Sequence, residues 1–310
     1  MGKRFKNQAS QLVECLCSSL RKCVFSVLSV GPLPDHIAFI MDGNRRYAKK
    51  CNLLEGDGHK LGYSALMNML KYCYELGVKF VTIYAFSIDN FKRRPEEVQS
   101  TMQLIQEKIE DLIKEESLVN QYGVRIYFLG NLKLLSKSVR LAAEKAMRAT
   151  AGNSKAVLSI CLAYTSTDEI VHAVQESCDE KRDKIRASKS CMAGNGTIAV
   201  RGNGKDGSKE IIAVHDVEKH MYASVAPDPD VIIRTSGETR LSNFLLWQSA
   251  CCLLYAPSLI MCSVNGMLNG PRFHSFYCET DSMEVRTYYS ALALRVLVIS
   301  FAVVDQHGLW

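Results

Sequence analysis

Residues 36–50 read HIAFIMDGNRRYAKK, and this stretch decides the fold. Asp35 to Met41 is a compact apolar run, long enough for a strand buried on both faces. It stops at Asp42-Gly43-Asn44-Arg45-Arg46, a polar turn, after which Tyr47 to Lys50 begin helical structure. Strand, polar turn and helix in that order place charged groups at a strand's carboxyl end. In an open α/β sheet that end borders the ligand crevice.

Working outward, the same alternation recurs. His59 to Leu76 is helical in pattern, and Lys79 to Phe86 (KFVTIYAF) predicts a second buried strand. Pro95-Glu96-Glu97 opens a helix with proline and acids in its first turn, predicted to run to about Val119. Val124–Leu129, Ala156–Tyr164 and Asp230–Arg234 supply further strands, with helices near Leu134–Thr150 and Thr167–Cys178. The fold class is therefore α/β, with a mostly parallel sheet flanked by helices. Cys191 to Lys209 holds five glycines without periodicity and predicts a loose surface insertion. It matches neither glycine-rich phosphate-loop pattern.

Composition is that of a globular protein: 310 residues, 47% hydrophobic and 23% charged, with a formal net charge of +6. So small a surplus, with no recognisable binding module, argues against a nucleic-acid partner and suits an anionic substrate or membrane surface. The twelve cysteines include no CxxC pair, so zinc is not expected, and free thiols in a reducing, cytosol-facing compartment are. Residues 1–30 form an N-terminal segment in which Leu12, Leu16, Leu20, Val24 and Leu28 recur every four positions near Lys3, Arg4, Lys6, Arg21 and Lys22. An amphipathic helix that rests on a membrane or a partner fits this, as does a packed terminal helix. Its uncharged span is too short to cross a bilayer, and so is Ala291–Val304.

Three polar clusters stand at strand ends. In the first, Gly43 permits a tight turn, Arg46 can fork onto phosphate oxygens and Asp42 is a hard ligand for Mg2+ held beside a diphosphate. The second, Ser87-Ile-Asp-Asn90-Phe91-Lys-Arg93, offers hydrogen-bonding groups and a cation directly after Phe86. The third runs from Arg234 to Asn243 and brings Arg234, Arg240 and Ser242 together. Taken singly, each also reads as a capped turn or a solvated basic loop. Together they point to a site with two diphosphate subsites. Apolar residues from Leu104 to Leu118 either line a cavity beside that site or pack in the core.

At these residues the chain resembles the cis-prenyltransferases, the undecaprenyl and dehydrodolichyl diphosphate synthases. The resemblance runs from about Pro32 to Pro257, through HIAFIMDGNRRYAKK (36–50), GHKLGY (58–63), YAFSIDNFKR (84–93) and IRTSGETRLSNFLLWQ (233–248). The paired arginines of DGNRR are more like the eukaryotic dehydrodolichyl or plant rubber-type branch. It implies a six-stranded sheet with an elongated hydrophobic tunnel, and a Mg2+-dependent addition of isopentenyl diphosphate to farnesyl or a related allylic diphosphate. Asp42 would be the metal-linked catalytic carboxylate, with Asn44, Ser87 and Asn90 in the reacting network. Gly43, Arg45, Arg46 and His59 would hold the allylic diphosphate. Arg93, Arg234, Arg240 and Ser242 would hold that of isopentenyl diphosphate, and Phe86 and Phe91 would flank the organic portions.

Three departures restrict what is carried over. Glu55 stands where bacterial members have an arginine, and Leu253 stands where they have a Mg2+-associated glutamate. Eukaryotic catalytic subunits share that loss and work with a Nogo-B-receptor-like subunit bearing a C-terminal RxG motif. No such motif lies near the C-terminus here, so the resemblance implies that partner and, with it, the cytosolic face of the endoplasmic reticulum membrane, a free cytoplasmic enzyme being the alternative. Residues 258–310 lack the family's closing segment and are expected to be a divergent tail of an altered transcript, appended to the domain of 31–257. A noncatalytic or assembly-impaired isoform that binds prenyl diphosphate or a partner is the competing expectation.

Overall fold

The structure, a computed structural model, describes residues 33–43, 49, 52, 55–193, 211–256 and 272–275; for 55–61, 188–193, 236 and 272–275 it describes the backbone alone. The expected N-terminal amphipathic segment, the greater part of the 191–209 insertion and nearly all of the tail lie outside these residues.

Strand β1 (His36–Ile40) is buried along its whole length, as its unbroken apolar run requires. It pairs in parallel with β2 (Phe80–Ser87) on one side and with β5 (Val231–Arg234) on the other. Beyond β2 come β4 (Ala156–Tyr164) and β3 (Val124–Leu129), both parallel. Beyond β5 comes β6 (Leu253–Ala256), also parallel. The expected six-stranded parallel sheet is thus present. A seventh strand, β7 (Arg272–Ser275), adds antiparallel to β6, giving the order β3-β4-β2-β1-β5-β6-β7. That strand was not expected. Residues of the divergent tail pair with the N–H and C=O groups that β6 would otherwise leave open at the sheet edge.

Successive residues of β1 face opposite sides, and so divide two cores. Ile37 and Phe39 join Val81, Ile83 and Leu158 on the larger side, where helices α1 (Glu55–Glu75), α2 (Pro95–Leu112) and α4 (Lys137–Ala149) contribute Leu66, Leu70, Ile109 and Ala143. Ala38 and Ile40 join Tyr164, Ile232, Phe244 and Leu254 on the smaller side. The helix opened by Pro95 ends at Leu112, short of the expected Val119, because Ser117 caps a separate helix α3 (Leu118–Tyr122) through its side chain. Helix α5 (Ser166–Ala193) runs 28 residues, past the expected Cys178, and carries helical backbone into the first three positions of the expected insertion. A short α6 (Val214–Glu218) follows. Among the described residues no helix is long and apolar enough to cross a membrane.

Two positions show how tightly the strand ends are fixed. Gly130, just past β3, has φ +125°, and a Cβ there would lie 2.3 Å from the carbonyl oxygen of Leu162. Both the dihedral and the backbone contact exclude a side chain, so Gly130→Ala is expected to cost about 3 kcal/mol or more, read as a lowered denaturant midpoint. His36 is buried, with Nδ1 2.6 Å from the Pro227 carbonyl oxygen and Nε2 2.8 Å from Thr82 Oγ1, and burial lowers its pKa below 6.5. A base depressed in the folded state is neutral there while the unfolded chain takes up a proton. The stability that His36 contributes is therefore complete above pH 6.5 and declines as pH falls below it. In an NMR titration the His36 ring should remain neutral at pH 6.5; a midpoint at or above that value would contradict the burial argument.

Candidate active site

The sheet reverses its winding at β1, since the chain moves from β1 to β2 on one side and returns to β5 on the other. Ligands bind beyond the carboxyl ends of strands at such a point. The three polar clusters leave the adjacent strands β2, β1 and β5, which is why residues far apart in sequence meet here.

Arg234 ends β5 and is 4% exposed. Its guanidinium donates to Asp42 Oδ2 (2.8 Å), to Ser242 Oγ (2.6 Å) and to the Arg240 carbonyl oxygen, while its buried Nε has no hydrogen-bond partner. Thr235 fixes the other side of this pair. Its hydroxyl donates to the Asp42 carbonyl (2.7 Å) and accepts from the Asp42 N–H (2.9 Å), joining the turn after β1 to the end of β5. Gly43 has φ +96°, and its N–H donates to Asp42 Oδ1 at 2.7 Å, so the carboxylate is held from both oxygens. A guanidinium buried to this degree beside one carboxylate, with a donor left over, suits a site that receives a further anion.

Ser242 owes its position to the start of α5. Ser242 and Asn243 are both left-handed, with φ of 52° and 59°. The Asn243 carbonyl accepts from the Ser166 N–H (2.8 Å), and Asn243 Oδ1 accepts from the Thr167 N–H and hydroxyl, both at 3.1 Å. Ser166 Oγ in turn accepts from the Leu246 N–H at 2.8 Å. The loop thus satisfies helix N–H groups that would otherwise lack partners, and its strained backbone is repaid by aiming Ser242 at Arg234. Behind it Glu169, fully buried on α5, accepts from the Tyr164 hydroxyl (2.5 Å), the Ala223 N–H (2.8 Å) and Gln248 Nε2 (3.2 Å). Burial pushes the Glu169 carboxyl above its ordinary pKa, against the pull of these donors.

After β2, Ser87 and Asn90 form a reciprocal cap. The Asn90 Oδ1 accepts from the Ser87 N–H (3.1 Å), and Ser87 Oγ accepts from the Asp89 N–H (3.1 Å), closing a 3-10 helix over Ile88–Lys92. Arg93 follows and pairs with Glu97 at 3.0 Å; Arg240 pairs with Glu238 at 2.7 Å and is largely exposed. Phe86 is buried and meets Phe91 edge to face at 5.0 Å.

These groups border one cavity of about 840 Å3. Asp42, Gly43, Ser87, Asn90, Arg93, Arg234, Arg240 and Ser242 line its polar end together with Phe86. Leu66, Met67, Ile83, Leu104, Ile109 and Leu158 line the rest, between α1, α2 and the sheet. Phe91 touches the cavity through Phe86. Asn44, Arg45 and Arg46 lie outside the described residues, as does the side chain of His59, whose backbone belongs to α1.

Sequence reasoning missed Thr235, which stood between two residues it had singled out, and Tyr84. The Tyr84 ring stacks on Phe244 (4.6 Å), and its hydroxyl, with a pKa pushed up to about 12 by burial, donates to the Tyr164 carbonyl at 3.2 Å. Alternation along β2 gave no signal for it, because a register shift between Tyr84 and Phe86 turns Tyr84 to the smaller core and Phe86 to the larger.

For a divalent cation, the described residues include no group of three or more His, Cys, Asp or Glu side chains able to hold one. Leu253, at the position expected to lack the family's glutamate, is buried in β6 and offers no ligand. Asp42 remains as a hard oxygen donor at the polar end. This set fits Mg2+ carried mainly by phosphate oxygens and water, the usual way that ion is held beside a diphosphate.

A parallel sheet with a cationic strand-end cluster bordering a cavity that is elsewhere largely apolar defines an α/β protein with a site suited to an anionic group beside an apolar one. The undecaprenyl diphosphate synthase profile matches residues 40–262, and the chain belongs to that prenyltransferase family. It is 67% identical over 253 residues to the dehydrodolichyl diphosphate synthase CPT3 of Solanum lycopersicum, covering 82% of this chain and 87% of that protein. Over 235 residues it is 40% identical to the dehydrodolichyl diphosphate synthase complex subunit DHDDS of Homo sapiens, covering 76% of this chain and 64% of that one. Among solved structures it is similar to lavandulyl diphosphate synthase from Lavandula x intermedia in complex with dimethylallyl diphosphate, with TM-score 0.62, 25% identity, and coverage of 74% of this chain and 89% of that one.

Proposed function

We propose that this chain is a long-chain cis-prenyltransferase that condenses isopentenyl diphosphate repeatedly onto farnesyl or a related allylic diphosphate, yielding polyprenyl diphosphate for dolichol or related polyisoprenoids. The observation that carries the reading is the buried Arg234, held between Asp42 and Ser242 at the polar mouth of an otherwise apolar cavity.

Arg234 and Ser242, with Arg240 and Arg93 at the rim, bind the diphosphate of isopentenyl diphosphate and fix its double bond against the allylic carbon. Arg45, Arg46 and His59, with Gly43, hold the allylic diphosphate, and Asn44 belongs to the reacting network. Asp42 and the substrate phosphates would hold Mg2+, which would supply positive charge against the departing diphosphate. The allylic carbon–oxygen bond breaks and its electron pair leaves with diphosphate, the electron pair of the isopentenyl double bond forms the new carbon–carbon bond, and the departing diphosphate takes the proton from C2, whose bonding pair becomes the new double bond. Asp42 keeps the site's cations oriented and is placed to hold the metal, while Ser87 and Asn90, locked by their mutual cap, keep the second wall of the reacting centre rigid. Phe86 covers the organic part of the substrate and excludes water from the cation. The lengthened chain then moves into the cavity.

A receptor-like second subunit, contact with the endoplasmic reticulum membrane at its cytosolic face, and Mg2+ complete the proposal. The name of the human relative, a complex subunit, supports the partner, and Leu253 in place of an acid supports a site completed by another chain.

The test supplies the full chain, alone and with a receptor-like subunit, with Mg2+, farnesyl diphosphate and labelled isopentenyl diphosphate. Label should accumulate in polyprenyl products and disappear when the metal is chelated. A folded heteromer that binds prenyl diphosphate without elongating it would establish the noncatalytic reading instead.

A further inference from the structure

Helix α4 buries one side and leaves the other in solvent. Val139, Ala142, Ala143 and Ala146 face the larger core, where α4 packs on α2. On the opposite side Lys137, Leu141, Lys145 and Arg148, spaced by four, four and three positions, fall on one stripe, and all four are exposed. Lys133 and Leu134, also exposed, belong to the 3-10 turn Leu132–Leu134 that leads into the helix. Leu134 and Leu141 are each 48% exposed, so two large apolar side chains stand in water among cations.

The charge of this face is one-sided. From Lys133 to Arg148 the chain carries five basic side chains, Arg140 among them, and the single acid Glu144. That carboxylate lies 4.0 Å from both Arg140 and Arg148 and so is divided between two guanidinium groups. The neighbouring helices are built differently. α5 sets its charges as ion pairs, Asp179 with Arg182, Glu180 with Lys184 and Asp183 with Arg186, the pattern of a face kept in water. α2 exposes Glu96, Glu107 and Glu110. An anionic surface is therefore repelled by α2 and drawn to α4, on the side of the molecule where β3 ends the sheet.

A nucleic acid would engage the cations and leave Leu134 and Leu141 in water. An anionic bilayer uses both kinds of side chain: its headgroups receive the ammonium and guanidinium groups, and the leucines enter the boundary between headgroups and acyl chains. We infer that the outer face of α4, with Lys133 and Leu134, is the surface by which the chain lies on an anionic lipid bilayer. The inference rests on the membrane contact included in the proposed function and gives that contact a place on the folded domain. Since α4 packs on α2, which walls the cavity, a bilayer lying on α4 is one helix away from the cavity wall.

Flotation of the full chain with vesicles tests this, one set made of phosphatidylcholine alone and the other of phosphatidylcholine with phosphatidylserine. The unaltered protein should float with the second set, less so at raised salt, and little with the first. Each basic side chain near an anionic bilayer is worth about fivefold in partitioning, so Lys137→Gln with Lys145→Gln should weaken binding about tenfold or more. Leu134→Asn with Leu141→Asn, which keeps every charge, should weaken it as well. Arg182→Gln with Arg186→Gln removes the same charge from the paired face of α5 and should leave flotation as it was. Circular dichroism and thermal unfolding of the three variants should match those of the unaltered protein, as befits exposed positions. Flotation of the α4 variants equal to that of the unaltered protein would overturn the inference while leaving the membrane contact to another part of the chain. An equal loss in the α4 and α5 variants would overturn it in favour of net charge. Failure of the unaltered protein to float with either set would overturn the membrane contact and the inference together. No step requires turnover, so the result is independent of whether the chain elongates prenyl diphosphates.

Discussion

Asp42→Asn is expected to reduce elongation about a hundredfold or more while the chain remains folded, the size of loss that follows removal of a preorganised charge at a reacting centre. The amide keeps the shape of the carboxylate and one acceptor, so either Arg234 or the Gly43 N–H retains its bond. What is lost is the negative charge that offsets Arg234 and the hard oxygen that fits Mg2+. Asp42→Ala removes the acceptor as well and leaves a guanidinium only 4% exposed without its carboxylate, so it should also lower stability, by about 3 kcal/mol or more. Comparing the two in the elongation assay and by thermal unfolding separates the contributions. Equal activity of Asp42→Asn and the unaltered protein would remove Asp42 from the mechanism.

Glu169→Ala carries the largest expected effect on stability among residues remote from the cavity. Three donors converge on this carboxylate: the Tyr164 hydroxyl, the Ala223 N–H and the Gln248 amide. Alanine removes the Ala223 N–H's acceptor and leaves the Tyr164 hydroxyl and the Gln248 amide only their longer contacts to Ser166 Oγ and Met221 Sδ, both 3.4 Å; at about 1 to 3 kcal/mol per lost bond, a loss of about 3 kcal/mol or more is expected. The damage should reach the site as well. Gln248 closes the segment that begins at Ser242, and Tyr164 packs edge to face on both Tyr84 and Phe244 at 6.0 Å. A loosened Ser242 loop weakens the grip on diphosphate, so KM for isopentenyl diphosphate should rise more than kcat falls. Chemical denaturation and steady-state kinetics check the two halves; an unchanged unfolding midpoint would show that the donors find other partners.

Much of this was legible in the amino-acid sequence, for reasons visible in the strands. β3 and β4 occupy the expected residues because each is an apolar run between polar turns, with no helical period to compete. β6 carried no such mark: Leu253–Ala256 has four residues, and the run Cys251-Cys252-Leu253-Leu254-Tyr255 would suit a helix as well. The stop of α2 at Leu112 was hidden because Lys114, Glu115 and Glu116 are acceptable helix residues, and only the cap at Ser117 separates the two helices. At the site, polar and charged residues announced themselves by type, which is how Asp42, Arg234, Arg240 and Ser242 were singled out. Glu169 and Thr235 did not, because most of their partners are distant in sequence: Ala223 and Gln248 lie 54 and 79 positions from Glu169, and Asp42 lies 193 from Thr235.

The central claim is that the cationic strand ends and the apolar channel are one site, the first for the diphosphate and the second for its prenyl chain. The most direct test is the electron density of the full chain crystallised with Mg2+ and a non-hydrolysable farnesyl thiodiphosphate. The diphosphate should sit within hydrogen-bond reach of the cluster around Asp42 and Arg234, with the prenyl chain running between α1 and α2. A ligand bound elsewhere, or one whose chain leaves the channel empty, would contradict the account.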